Sequence, residues 1–127
     1  MGKRQVIEGE GLLRHRNPIP TAVRVGQFVF SSAISGEDPA TGATAADPAE
    51  QVAQAFRNLR AILDAAGATP ADVAKLTVYL RDLAHREHVN RHWLELFPDP
   101  HDRPVRHTLK ADLQGPTLVQ LEFIAIV

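Results

Sequence analysis

Three side chains in the last quarter of the sequence are out of keeping with their surroundings. Arg106 stands in Arg103-Pro104-Val105-Arg106-His107-Thr108-Leu109, while Gln120 and Glu122 interrupt an almost unbroken apolar run from Leu118 to Val127. A charge in a segment otherwise suited to burial must be paired, face solvent or wait for a ligand. On a strand, Arg106 shares a face with Thr108 and Lys110, and a guanidinium there can hold a carboxylate through two parallel hydrogen bonds. It can equally form a structural ion pair with Glu122 or with a neighbouring subunit. Gln120 and Glu122 project from one face of a strand, about 6.5–7 Å apart. Glu122, in so apolar a context, is expected to be paired with a cation or raised in pKa. A carboxylate can orient or deprotonate a water, whereas Gln120 can position a water but cannot take its proton. The structural alternative is that Glu122 only fixes a subunit interface.

Other groups carry weaker signals. Ser31 and Ser32 close a strand-like run, where a hydroxyl could meet a ligand, but no nucleophile elbow surrounds them and covalent serine catalysis is not expected. His85, His88 and His92 recur at three and four residues, a spacing that could hold a metal. Val89 follows His88, so the His-Glu-x-x-His pattern is absent; solvated helix surface is the preferred reading and no metal is expected. His15 and His107 are candidate proton carriers, because imidazole titrates near neutrality. No glycine-rich phosphate loop is present, and no cofactor is expected.

These residues need elements to position them. Gln5 to Ile7 reads as a short edge strand, and Arg14 to Pro20 as a loop, being too rich in proline for helix or central strand. Ala22 to Arg24 and Gln27 to Ser32 flank Gly26 as a strand pair, with Phe28 and Phe30 on one face. Ser35 to Ala46 is a long loop containing Asp38-Pro39-Ala40-Thr41-Gly42. Asp47-Pro48-Ala49-Glu50 signals a helix start, after which Val52, Ala55, Phe56, Leu59, Ile62, Leu63 and Ala66 mark one apolar face and Gly67 a stop. Val73 to Leu80 reads as a strand with Ala74, Leu76, Val78 and Leu80 on its apolar face. A second helix runs from about Leu83 to Leu96, turning Val89, Trp93, Leu96 and Phe97 inward, before two more strands joined across Gln114-Gly115-Pro116-Thr117.

The order implies an open mixed sheet with both helices on one face. In the last strand both rows are largely apolar, and two helices cannot cover both faces. The second face must therefore be buried against another copy, which predicts an oligomer with its sheets turned inward.

Composition sets the outer bounds. The chain has 127 residues, enough for one domain, 1–127, with a real core. Apolar residues make up 44% and charged residues 23%, ordinary for a soluble globular protein. A net charge of -1 gives no reason to expect nucleic-acid or membrane partners. The absence of cysteine excludes disulfides and thiolate catalysis. No run approaches membrane-span or signal-peptide length, so the cytoplasm is the expected location.

Several stretches together resemble one family. They are Val25-Gly26-Gln27-Phe28-Val29-Phe30-Ser31-Ser32, Asp38-Pro39-Ala40-Thr41-Gly42, Val89-Asn90, Arg103-Pro104-Val105-Arg106 and Gln120-Leu121-Glu122-Phe123-Ile124-Ala125. The chain is similar over nearly its whole length to the reactive-intermediate deaminases, the RidA or YjgF group. The resemblance implies an α+β, chorismate-mutase-like fold and a homotrimer, with sheets forming an inner barrel, helices outside and ligand clefts between subunits. It implies hydrolysis of small carboxylate-bearing enamines or imines, of the 2-aminoacrylate and 2-iminopropionate type, to 2-keto acids and ammonia without a cofactor. The family arginine that binds the substrate carboxylate looks like Arg106, a strand-end serine like Ser32, and a helix asparagine like Asn90.

Three positions depart from that pattern. The glutamate thought to activate water is Gln120 here, the early-loop tyrosine has no counterpart near Ile19, and the cysteine just beyond the arginine is Thr108. Ile19 and Thr108 are thus carried as substrate-contacting positions, and Glu122, His107 or His15 as substitutes in handling water and protons. The alternative is a noncatalytic protein of the same fold that binds small carboxylates or regulates. Ribonuclease activity, a label attached to the family, finds no basic patch with interleaved aromatics in this sequence.

Overall fold

Asp47 and Pro48 begin the longer helix, α1 (Pro48–Ala65). The Asp47 carboxylate accepts the Glu50 backbone N–H at 3.1 Å, and Pro48 occupies a first-turn position whose amide would have had no helical partner. At the other end Gly67 adopts a φ of 73°, which lets the Gly67 and Ala68 amides close back onto the Asp64 and Leu63 carbonyls. Val52, Ala55, Phe56, Leu59, Ile62 and Leu63 form a buried stripe between these caps.

In the computed structural model, which describes residues 2–127, that stripe packs on one face of a seven-stranded sheet. The strands are β1 (Gln5–Ile7), β2 (Ala22–Val25), β3 (Phe28–Ser31), β4 (Ile34–Ser35), β5 (Val73–Leu80), β6 (Val105–Lys110) and β7 (Val119–Ile126). Their spatial order is β1-β2-β3-β7-β5-β6, with β4 also paired to β7. Only β5 and β6 are parallel among these pairs, so the chain between them must cross over, and the second helix, α2 (Arg86–Leu96), makes that crossing. Phe56 of α1 stacks on His92 of α2 with ring centroids 5.1 Å apart.

Alternation along β7 divides the sheet into two faces. Val119, Leu121, Phe123 and Ala125 are buried under the helices, while Gln120, Glu122, Ile124 and Ile126 lie on the other side. That second side carries Phe28, Phe30 and Ile126 at 47%, 39% and 44% exposure, values high for aromatic and aliphatic side chains sharing one surface. Both faces are thus apolar and helices cover one, as the sequence implies.

The two C-terminal strands, joined across Gly115 and Pro116, are not neighbours in the sheet, because β5 lies between β6 and β7. Three local expectations change. The register of β5 against β7 shifts between Val73 and Lys75, so Val73 enters the core and Ala74 is exposed, the reverse of strict alternation. The long loop begins later than Ser35, since Ile34 and Ser35 form β4 against Leu121 and Gln120. The second helix is preceded by a short 3₁₀ turn, Leu83–His85, capped by Asp82 onto the Ala84 amide at 2.9 Å.

Candidate functional site

Arg106 is held by α2. The parallel register sets Arg106 beside Leu76 and Thr108 beside Val78, which turns both toward the helices at the sheet's β6 edge. One Arg106 Nη2 hydrogen goes to Asn90 Oδ1 at 2.8 Å, and the guanidinium carbon stands 5.0 Å from the centre of the Trp93 ring. Asn90 and Trp93 are three residues apart and so share one side of α2. No carboxylate meets this guanidinium: among the described residues the one ion pair is His92 with Glu95, at 3.8 Å. Partial burial, and secondarily the nearby Arg86, lower the affinity of Arg106 for its proton, although a guanidinium stays charged. Thr108 Oγ1, two residues along the same face, is buried without a hydrogen-bond partner. A guanidinium with donors to spare and a lone hydroxyl beside it have the chemistry to receive an acid.

Arg103 does a different job. Its guanidinium donates to the Phe97 and Pro98 carbonyls at 2.8 and 3.4 Å, tying the end of α2 to the start of β6.

Gln120 and Glu122 do share a face, but it is the face opposite Arg106. Glu122 Oε1 accepts the Tyr79 hydroxyl at 3.0 Å, so its partner is a neutral phenol, neither Arg106 nor any other cation. The hydrogen bond to Glu122, then burial, then the carboxylate charge hold the Tyr79 pKa above its ordinary value. Around Glu122 is a small recess of about 220 Å³ lined also by Phe30, Lys75 and Thr77. Gln120 opens instead into a larger cleft of about 560 Å³ whose wall includes His15, Ser35, Glu37 and Thr44. His107 is exposed on the side of the sheet away from Arg106, being the next residue on the same strand.

The remaining residues form the frame. Ser32 Oγ donates to the Pro20 carbonyl at 2.8 Å, which brings Ser32 beside the loop that carries the exposed Ile19. Ser31 Oγ accepts the Phe123 amide at 3.0 Å and is a sheet contact. Gln51, fully buried on α1, donates to the Ala45 and Pro116 carbonyls at 2.8 and 3.0 Å and accepts the Leu118 amide at 2.6 Å. It thereby fixes both loops flanking the larger cleft. His92 is no solvated surface residue, as it packs on Phe56. Among the described residues no three His, Asp or Glu side chains cluster as a metal site. Sequence reasoning missed Tyr79 as the Glu122 partner; it placed Trp93 against the core, where it does pack, but missed its contact with Arg106. Its three-residue step from Asn90 was the available signal for the latter.

Comparison with known proteins adds a second line of information. The family model described as Endoribonuclease L-PSP matches residues 13–127. A RutC family protein of Pyrococcus abyssi is 34% identical over 124 residues, spanning 96% of each chain. The 2-iminobutanoate/2-iminopropanoate deaminase of Salmonella typhimurium is 32% identical over 111 residues, or 86% of this chain and 87% of the relative. The crystal structure of Escherichia coli TdcF with bound serine has a TM-score of 0.88 at 27% identity, covering 97% of this chain and 98% of that one.

Proposed function

The chain belongs to the endoribonuclease L-PSP family, the RidA or YjgF group, and on that premise we propose that it deaminates small carboxylate-bearing imines and enamines by hydrolysis. The observation that carries this reading is Arg106, oriented by Asn90 and Trp93 with no carboxylate of its own. Of the five N–H donors of the guanidinium, one is given to Asn90, and the rest can take a substrate carboxylate in two parallel bonds. The deaminase name of the Salmonella relative and the serine bound to the E. coli neighbour support a small amino-acid-derived ligand.

The chemistry follows from holding the acid still. A protonated imine is electrophilic at the carbon beside the anchored carboxylate. A water oxygen bonds to that carbon while the C=N π pair moves to nitrogen. The added water passes one proton to the nitrogen of the resulting carbinolamine; the hydroxyl then gives up its remaining proton as C=O forms, the C–N bond breaks, and ammonia leaves a 2-keto acid. Gln120 can position the water, and His15, on the same cleft wall, can carry the proton. Arg106 and Gln120 are on opposite faces of one sheet, so the reading joins them across subunits. A homotrimer with the uncovered faces inward would bury Phe28, Phe30 and Ile126 and close a cleft between copies.

Ammonia release from freshly generated 2-iminopropionate and 2-iminobutyrate tests the proposal. Acceleration by the wild type, lost in an Arg106→Met variant of unchanged native mass, supports it. Release no faster with protein than without it rejects it. A noncatalytic role in binding small carboxylates is the second reading, favoured by Gln120, which cannot deprotonate water. Its signature is Arg106-dependent binding without turnover.

A further inference from the structure

On α2, Arg86 precedes Asn90 by four residues and Trp93 by seven, so all three lie on one side of the helix. Asn90 and Trp93 both touch the Arg106 guanidinium, which identifies that side as the one facing β6. Arg86 is one turn nearer the helix start, its Cβ about 6 Å from that of Asn90. Two arginines therefore border one patch, with the Asn90 amide between them.

Among the described residues no carboxylate pairs with either arginine. Arg86 is exposed and forms no ion pair among the described residues. Glu87, the adjacent acid, points about 100° away around the helix. As the first residue of α2, Arg86 also puts a cation at the positive end of the helix dipole, where an acid is normally preferred. Its charge is felt at Arg106, where it acts against the second cation.

We infer that Arg86 receives a second carboxylate, so that the substrates are 2-imino dicarboxylic acids of four or five carbons. Arg106 takes the carboxylate beside the imine carbon, and Arg86 takes the one on the side chain. The imine carbon exchanges its nitrogen for the oxygen of one water, ammonia leaves, and a 2-oxo dicarboxylate remains with both acid groups intact. The imine in this assignment rests on the deaminase reading; the second acid group rests on Arg86 alone.

Two product-like acids of equal carbon count separate these parts. Calorimetric titration of the wild type with oxaloacetate and with 2-oxobutanoate is expected to show the diacid binding about tenfold more tightly, the order set by one charge-assisted hydrogen bond. Arg86→Met is expected to remove that difference by weakening oxaloacetate, Arg86→Lys to keep part of it, and Arg106→Met to weaken both acids. Equal wild-type affinities, a preference that survives Arg86→Met, or a changed native mass in that variant would overturn the assignment, the last by making Arg86 a subunit contact. Ammonia release is followed in parallel with imines made oxidatively from aspartate and from alanine. If neither imine is turned over while the diacid preference depends on Arg86, the deaminase reading fails and the dicarboxylate site stands. If imines are turned over with no preference for the diacid in rate or binding, the reverse holds.

Discussion

Arg106 and Glu122 lie on opposite faces of the same sheet: their partners on β5, Leu76 and Thr77, are consecutive residues and so point to opposite sides. An ion pair between them within one chain is thereby excluded. Arg106 is left to Asn90 and Trp93, and Glu122 to Tyr79.

Arg106→Met is expected to lower kcat/KM on an imine substrate by about 100-fold or more, since it removes a bidentate clamp. The unfolding free energy should change by less than about 1 kcal/mol, the worth of a partly exposed cation–π contact. Urea unfolding at fixed chain concentration checks this. A loss of about 3–5 kcal/mol would instead indicate a broken buried ion pair.

Tyr79 has a folded pKa above its unfolded value, so its contribution to stability is complete below about pH 10 and is lost as pH rises through the raised folded value. Urea unfolding from about pH 8 to pH 11 should show that decline in the wild type. Tyr79→Phe has no phenol to ionise and should show a shallower slope.

His92 has the opposite linkage. Burial against Phe56 lowers its pKa, only partly countered by Glu95, so below about pH 6.5 the unfolded chain binds the proton first. Stability should fall as pH drops from that value toward the depressed folded pKa, then level off. His92→Phe should flatten the slope in that window, as followed by thermal unfolding.

Gly36→Ala should destabilise the protein by about 1–3 kcal/mol, the range for overpacking a filled interior. An added Cβ would stand 2.2 Å from the Gln51 carbonyl oxygen, and that oxygen belongs to helical backbone and cannot swing aside. Because Gln51 ties down both loops of the larger cleft, hydrogen exchange in residues 36–46 and 114–118 should rise together.

Phe30→Asp places a charge in the apolar uncovered face, beside Phe28 at a ring separation of 6.2 Å. On the proposed trimeric deaminase reading, sedimentation is expected to shift from a trimer to smaller species, with ammonia release lost in proportion. An unchanged mass would show that this face is not the one buried between copies.

Much of the frame was legible because its signals are local. Asp47, Pro48 and Gly67 bound a helix through contacts within five residues, and the apolar rows of β5 and β7 announce a sheet apolar on both sides. Strand order was not legible, because nothing in residues 105–127 states that β5 separates β6 from β7. The same gap explains the site. Arg106, Gln120 and Glu122 stand out as polar residues in apolar runs, but whether they meet depends on a strand that is remote in sequence. Nothing in the sequence around Tyr79 marks it until the register sets it beside Gln120 and within reach of Glu122. Ala74 defeated strict alternation because a bulge changes the count by one residue.

The position of β7 also bears on how the chain folds. Residues 119–126 form the seam between β3 and β5, joining Ile124 to Phe30 across most of the sequence. Until they arrive, β1–β3 and the parallel pair β5–β6 are separate sub-sheets with open hydrogen-bonding edges. Closing so distant a pairing is entropically slow, which favours a late, rate-limiting step. Changes in β7 should therefore slow refolding, whereas changes in the caps of α1 should chiefly hasten unfolding.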